Sequence, residues 1–261
     1  MFLIKDEKLI SDDYVKNGFV IRKINNIKYL NKISEIIKKF IFSYLKKNKI
    51  KYQDNDILNN IHKYIKKDDL NNFRLFVINK MYKVPEFREI YFKISKEYID
   101  NIIGNEIAMQ QRVNLSIQMP KDDSSLLPIH ADTWSGNSPY EVVVWLPLVD
   151  CYKTKSMFLL PPKYEKKLNL EIKNNKFKNS EDLYGFVKKN LIWFNIKYGE
   201  LLIFNQSLPH GNRINLVNET RWSMNCRFKG LFTPYGDKKI GEFFEPITMK
   251  PATIAAMTKK E

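Results

Sequence analysis

Arg221-Trp222-Ser223-Met224-Asn225-Cys226-Arg227-Phe228 alternates polar and apolar residues without a break. Successive side chains of a strand point to opposite faces, so Arg221, Ser223, Asn225 and Arg227 share one face, and Trp222, Met224, Cys226 and Phe228 share the other. The same period runs through 112–119, where Arg112, Asn114, Ser116 and Gln118 alternate with Val113, Leu115, Ile117 and Met119. Strands of this kind bury an apolar outer face under helices while the Arg, Asn and Gln of the inner face line a cavity.

Val142-Val143-Val144-Trp145-Leu146 is a more apolar strand, and Ser156-Met157-Phe158-Leu159-Leu160 is another that stops at Pro161-Pro162. Glu200-Leu201-Leu202-Ile203-Phe204 follows a turn at Gly199. The N-terminal part has a different period. From about Asp12 to Ile103 apolar residues recur at helical spacing: Ile33, Ile36, Ile37, Phe40 and Tyr44 on one stripe, Ile57, Ile61, Tyr64 and Ile65 on another. A further helix is expected over 87–103, after Pro85, and a short strand over 18–22. Helices followed by many short strands predict an α+β fold, with a jelly-roll barrel holding a site in its mouth. The expected organisation is a single domain over 1–261: about 1–105 mainly helical, about 106–235 the strand core, and 236–261 a C-terminal tail. Within the core, 163–198 is a polar, Lys/Asn-rich insertion with one helix near 181–189.

Hydrophobic residues make up 44% of the 261 residues, an ordinary globular composition. Two cysteines exclude a disulfide framework and suit a reducing compartment. Met1-Phe2-Leu3-Ile4-Lys5-Asp6 becomes charged too early for a secretory signal, and no apolar run nears the roughly 20 residues needed to cross a bilayer. A cytoplasmic protein is expected, with no membrane partner. The net charge is +15, from 44 Lys+Arg against 29 Asp+Glu. The excess is spread as lysine pairs such as Lys38-Lys39 and Lys188-Lys189, in a chain rich in Asn and Ile. That pattern favours a solvated basic surface over a nucleic-acid face and is compatible with an anionic small substrate.

Of the three histidines, His62 lies in a lysine-rich helical stretch and reads as a surface or partly packed residue. His130-Ala131-Asp132 sets an imidazole and a carboxylate two apart, on one face of an extended segment. H-x-D tripeptides recur by chance; the weight comes from context. His210 follows a strand, in Leu208-Pro209-His210-Gly211-Asn212, where the glycine is read as permitting a tight turn. Two imidazoles and one carboxylate form a facial triad that leaves metal positions open for chemistry.

The ordered set of motifs resembles the phytanoyl-CoA dioxygenase superfamily of iron(II)/2-oxoglutarate oxygenases, in particular its branch associated with polysaccharide and aminoglycoside biosynthesis. The set comprises Asn17-Gly18-Phe19-Val20-Ile21, His130-Ala131-Asp132, Val144-Trp145-Leu146-Pro147-Leu148, Ser156 to Pro161, Gly199 to Phe204, His210-Gly211-Asn212 and Arg221. The resemblance implies a double-stranded β-helix with an N-terminal helical layer over its major sheet. It implies iron(II) on His130, Asp132 and His210, and Arg221 gripping the far carboxylate of 2-oxoglutarate; a guanidinium suits that task through two parallel, charge-assisted hydrogen bonds. Trp145 and Asn212 match positions bordering the co-substrate. With dioxygen, such a site hydroxylates or otherwise oxidises a C–H bond, and the presence of Asp132 favours this over halogenation.

Strand parity adds Arg112, Asn114, Gln118, Asn225 and Arg227 as substrate-facing candidates; Trp134, just past the ligand pair, is a ring to stack on a sugar or close the mouth. The expected substrate is a small molecule, a sugar or nucleotide-sugar. Two alternatives stand beside this. One is a nucleic-acid dealkylase of the AlkB type, to whose Arg/Asn/Arg strand Arg221 to Arg227 is similar, although the first arginine follows His210 too closely. The other is a non-catalytic barrel that binds a small molecule.

Overall fold

The computed structural model describes residues 4–259, so Met1, Phe2 and Leu3 of the N-terminal stretch and Lys260 and Glu261 of the tail lie outside the described residues. The helical part comprises α1 (Lys5–Asn17), α2 (Ile27–Lys47), α3 (Ile57–Asn60), α4 (Leu70–Met81) and α5 (Phe87–Ile103). In α2 the buried positions Leu30, Ile33, Ile37, Ile41, Tyr44 and Leu45 recur at three- and four-residue spacing. The Asn26 side chain caps its first turn, and Lys46 and Lys47 complement the dipole in its last. The stripe over 57–65 makes only the short α3 and a 3-10 turn over Ile61–Lys63, yet Ile57, Ile61 and Ile65 are all buried. None of the described helices is long and apolar enough to cross a membrane.

Strands β1 (Phe19–Lys23), β2 (Ile107–Gln110), β3 (Asn114–Gln118), β4 (Glu141–Pro147), β5 (Phe158–Leu159), β6 (Ile192–Trp193), β7 (Glu200–Asn205), β8 (His210–Gly211), β9 (Arg221–Gly230) and β10 (Phe244–Thr248) form two sheets. The seven-stranded sheet runs β1-β7-β4-β9-β2-β10, with β3 also on β9; the three-stranded sheet runs β6-β5-β8. All pairings are antiparallel. Strand β9 organises the large sheet. One edge pairs with β4; the other pairs first with β3 (Gln118 opposite Arg221) and then with β2 (Met109 opposite Phe228). The chain bends at Gln111–Val113 to pass from β2 to β3.

The apolar face of β9 is fully covered: Trp222, Met224, Cys226 and Phe228 are each 0% exposed. Trp222 donates its indole N–H to the Leu58 carbonyl at 2.8 Å and meets Phe73 of α4 edge-on. Helix α5 is tied to the same layer, because Tyr91 donates to the Val144 carbonyl at 2.9 Å. The polar face of β9 is thereby turned away from the helices.

Two regions differ from the reading of the sequence. The 163–198 insertion holds two helices, α6 (Glu165–Lys173) and α7 (Ser180–Val187), as well as β6. Its Leu168, Leu183 and Val187 pack with Ile129, Phe158 and Leu160 on the small sheet. Helix α6 is hard to read because Leu168 is its one buried residue among lysines. Residues 236–261 are also more than a tail: β10 adds an edge strand to the large sheet, with Phe244 fully buried, before α8 (Pro251–Thr258).

Candidate metal centre

His130 and His210 form an antiparallel bridge, each donating its backbone N–H to the other's carbonyl, at 3.0 and 2.8 Å. Directly opposed residues project to the same side, and the two ring centroids are 4.4 Å apart. Ala131 is extended, so Asp132 returns to the side of His130 and opens a 3-10 turn over Asp132–Ser135. Ligand atoms of His130, Asp132 and His210 all lie within 4.8 Å of one another. His130 Nε2 and Asp132 Oδ1 are 3.6 Å apart.

Each imidazole is oriented by the carbonyl two residues before it: His130 Nδ1 lies 2.9 Å from the Pro128 oxygen and His210 Nδ1 lies 2.8 Å from the Leu208 oxygen. A carbonyl can only accept, so the proton sits on Nδ1 and Nε2 keeps its lone pair. Such outer contacts fix the tautomer and ring angle of metal-binding histidines. Gly211 serves a purpose other than the expected turn. Any Cβ there would come within 2.6 Å of the Leu127 carbonyl, so the glycine lets the 124–127 loop approach β8.

The electrostatics favour an anionic Asp132 carboxylate beside a neutral His210 ring. Burial opposes ionisation of Asp132, but His130, Arg227 and His210 together hold its carboxyl well below the usual range. Burial and the neighbouring His130 hold His210 down to about 4. His130 moves the other way: burial disfavours its charged form, but Asp132 and the Pro128 carbonyl outweigh that and raise it. Two nitrogens and one oxygen converging from one side match the donor set of a mononuclear divalent metal with open positions.

The three groups open onto a cavity of about 450 Å³ between the two sheets, lined also by Trp145, Arg221, Ser223, Asn225 and Arg227. Arg221 is buried; it donates Nη1 to the Ser156 carbonyl at 3.1 Å and Nη2 to Ser116 Oγ at 3.0 Å, while its Nε has no partner. Asn212 also lines the cavity, but both ends of its amide are engaged with the Ser125 and Leu127 backbone, so it anchors the loop at the mouth. Asn114 stands one step back and donates to Asn225 Oδ1 at 2.9 Å.

With Asn114, three more of the residues expected to face the substrate lie outside the cavity lining. Arg112 is exposed over the Tyr82 ring, because the bend between β2 and β3 breaks the alternation. Gln118 is buried at the end of β3 and donates to the Arg213 carbonyl at 2.8 Å. Trp134 is 47% exposed on the turn after Asp132. The structure adds residues that parity does not supply: Asn71, Arg74, Leu75 and Ile78 of α4 border the cavity. Arg74 binds the Ile117 carbonyl, Asp122, Ser124 and Ser125, which fastens the loop leading to His130. Ser116 was legible as a member of the β3 stripe; α4 carries no sequence signal for the site.

No family model matches the sequence. Among curated proteins, a stretch of 139 residues is 27% identical to cytoplasmic dynein 1 light intermediate chain 1 of Gallus gallus, covering 52% of this chain and 23% of that protein. The chain thus spans about a quarter of that relative's length, and an identity this low over so partial a match defines no family. Solved structures are informative about the fold. The chain is similar to EctD from S. alaskensis with 2-oxoglutarate and 5-hydroxyectoine (TM-score 0.57, 11% identity, covering 87% of this chain and 77% of that one). It is similar to the nickel complex of the non-haem monooxygenase ThoJ (0.56, 12%, 92% and 84%). It is also similar to SnoK, a non-haem alpha-ketoglutarate-dependent carbocyclase from nogalamycin biosynthesis (0.55, 13%, 95% and 97%). Its mixed helix and antiparallel-sheet architecture is therefore the fold that these oxygenases use.

Proposed function

We propose that the chain is a single-domain, non-haem iron(II) oxygenase that uses 2-oxoglutarate, with His130, Asp132 and His210 as ligands. The observation that carries this reading is the pair of Nδ1-anchored imidazoles facing one carboxylate at a cavity that also holds a buried arginine. The two sheets meeting at that cavity support reading the core as a double-stranded β-helix. Similarity in fold to 2-oxoglutarate-dependent proteins supports the co-substrate, and a buried guanidinium with a free Nε supports Arg221 as the group that meets its far carboxylate. Trp145, buried on β4, would wall the same compartment.

When bound, iron(II) and 2-oxoglutarate supply the activation of dioxygen. The chain's own residues hold the metal from one side, orient the dicarboxylate through Arg221, and keep the compartment screened from water. The balanced outcome is substrate C–H, dioxygen and 2-oxoglutarate giving substrate C–OH, succinate and carbon dioxide. A sugar or nucleotide-sugar substrate, as in the carbohydrate-biosynthesis branch, is supported by the polar Ser116, Ser223 and Asn225 of the lining. Two buried, unpaired thiols suit a cytoplasmic setting.

The test is succinate formation from 2-oxoglutarate in air with and without iron(II), before any substrate is known. Slow, iron-dependent succinate release is expected. A protein that binds the metal but forms no succinate across broad substrate panels would be a binding module, and salt-sensitive nucleic-acid binding would favour the dealkylase.

A further inference from the structure

We infer that Arg227 is a positioning residue for the Asp132 carboxylate, backed by Gln206 and Glu141, and not a contact for the substrate; this rests on the metal-centre reading above. The two oxygens of Asp132 have different surroundings. Oδ2 accepts a hydrogen bond from Arg227 Nη2 at 2.8 Å, whereas Oδ1 faces His130 Nε2 at 3.6 Å, beyond hydrogen-bond length. The oxygen turned toward the imidazoles is the free one.

Arg227 is itself held from behind. Its Nε donates to Gln206 Oε1 at 2.9 Å, and its backbone N–H donates to Gln110 Oε1 at 3.2 Å. Gln206 is fully buried, and its amide has one consistent orientation. Its oxygen must face the arginine, which only donates, and its nitrogen must face Glu141 Oε2 at 2.7 Å and the Ser138 carbonyl at 3.0 Å, which only accept. Gln206 also receives the Asp132 backbone N–H on its own carbonyl at 3.0 Å. Glu141, 1% exposed, takes the Ser138 N–H on its other oxygen. Asp132 is thus clamped at both backbone and carboxylate by one buried polar chain spanning β4, the β7–β8 turn and β9.

The consequence is monodentate presentation. A carboxylate free to rotate can ligate through both oxygens and close a metal position that co-substrate or dioxygen needs. Arg227 keeps Oδ2 occupied and offers Oδ1. Hydrogen-bond partners of metal ligands typically change metal affinity about 10- to 100-fold when removed.

Cobalt(II) titration of the metal-free protein, followed by visible absorption, tests the assignment without turnover. Arg227→Met is expected to weaken cobalt binding about 10- to 100-fold and to alter the ligand-field spectrum. Arg227→Lys should recover part of the affinity, since an ammonium keeps the charge but lacks the planar fork whose Nε and Nη2 reach Gln206 and Asp132 separately. Gln206→Met should weaken binding several-fold through Arg227. Melting curves of the metal-free variants report folding. Should Arg227→Met fail to fold, Arg227→Lys carries the test. A folded Arg227 variant with wild-type cobalt affinity and spectrum overturns the inference, as does one whose only defect is a raised substrate KM. A wild-type protein that binds no cobalt would instead remove the metal-centre reading itself.

Discussion

Arg221 and Ser116 are joined diagonally across the β3–β9 pair by a 3.0 Å hydrogen bond from Nη2 to Oγ, and this bond aims the guanidinium into the cavity while Nε stays buried without a partner. Burial pulls this arginine down to about 10, so it remains a cation at neutral pH. An uncompensated buried cation is costly unless an anion completes it.

It follows that Arg221→Met should weaken 2-oxoglutarate binding by at least about tenfold, in line with the energy of a charge-assisted hydrogen bond, while metal affinity holds. Calorimetric titration of 2-oxoglutarate into the manganese-loaded protein measures the first, and of manganese into the metal-free protein the second. Ser116→Ala should have a smaller effect of the same sign. Unchanged 2-oxoglutarate affinity in Arg221→Met would remove Arg221 from the co-substrate site.

Single substitutions of the ligand set should abolish stoichiometric metal. His130→Ala, Asp132→Ala and His210→Ala are each expected to lose tight iron(II) binding and iron-dependent succinate release, whereas His62→Ala should keep both. His62 bonds Thr220 Oγ1 at 3.0 Å and lies apart from the cavity. Metal analysis after anaerobic loading and desalting decides this.

Acid should destabilise the metal-free protein in a defined window. His210 is held down to about 4 by burial and by His130, while an unfolded histidine titrates near about 6.5. Between those values the unfolded chain binds more protons, so stability falls as the pH falls. His130 runs oppositely: its pKa is raised, so its contribution is complete below about 6.5 and fades as the pH climbs through its folded value. Asp132 is depressed, and its contribution is present above about 3.9 and lost further into acid. Melting temperatures of wild type and His210→Phe between pH 6.5 and 4 provide the check. The variant should show the flatter profile; identical slopes would contradict the assignment.

The fully buried Trp222 carries the back of the strand that presents Arg221 and Ser223. Trp222→Ala should cost about 3–5 kcal/mol by opening a cavity against Phe73. Trp222→Phe should cost less, chiefly the hydrogen bond to the Leu58 carbonyl, about 1 kcal/mol. Urea denaturation measures both.

Much of this arrangement is legible in the sequence because it depends on local period. Strand β9 displays its alternation over ten residues, and an extended H-x-D segment places its two side chains on one side by geometry alone. Parity fails where the backbone stops being a strand, which is why Arg112, in the β2–β3 bend, and Trp134, on a 3-10 turn, lie outside the cavity lining. Gln118 keeps its parity but turns its amide N–H to the carbonyl of Arg213, a neighbour brought near only by the fold. The packing of α4 over the mouth and the route from Glu141 through Gln206 to Arg227 join residues far apart in the chain. No periodicity encodes those contacts.

The most direct measurement is anomalous diffraction at the iron edge from crystals grown anaerobically with iron(II). One strong peak bonded to His130 Nε2, His210 Nε2 and an oxygen of Asp132 is expected. A peak elsewhere, or none at these three side chains in iron-loaded crystals, would contradict the assignment.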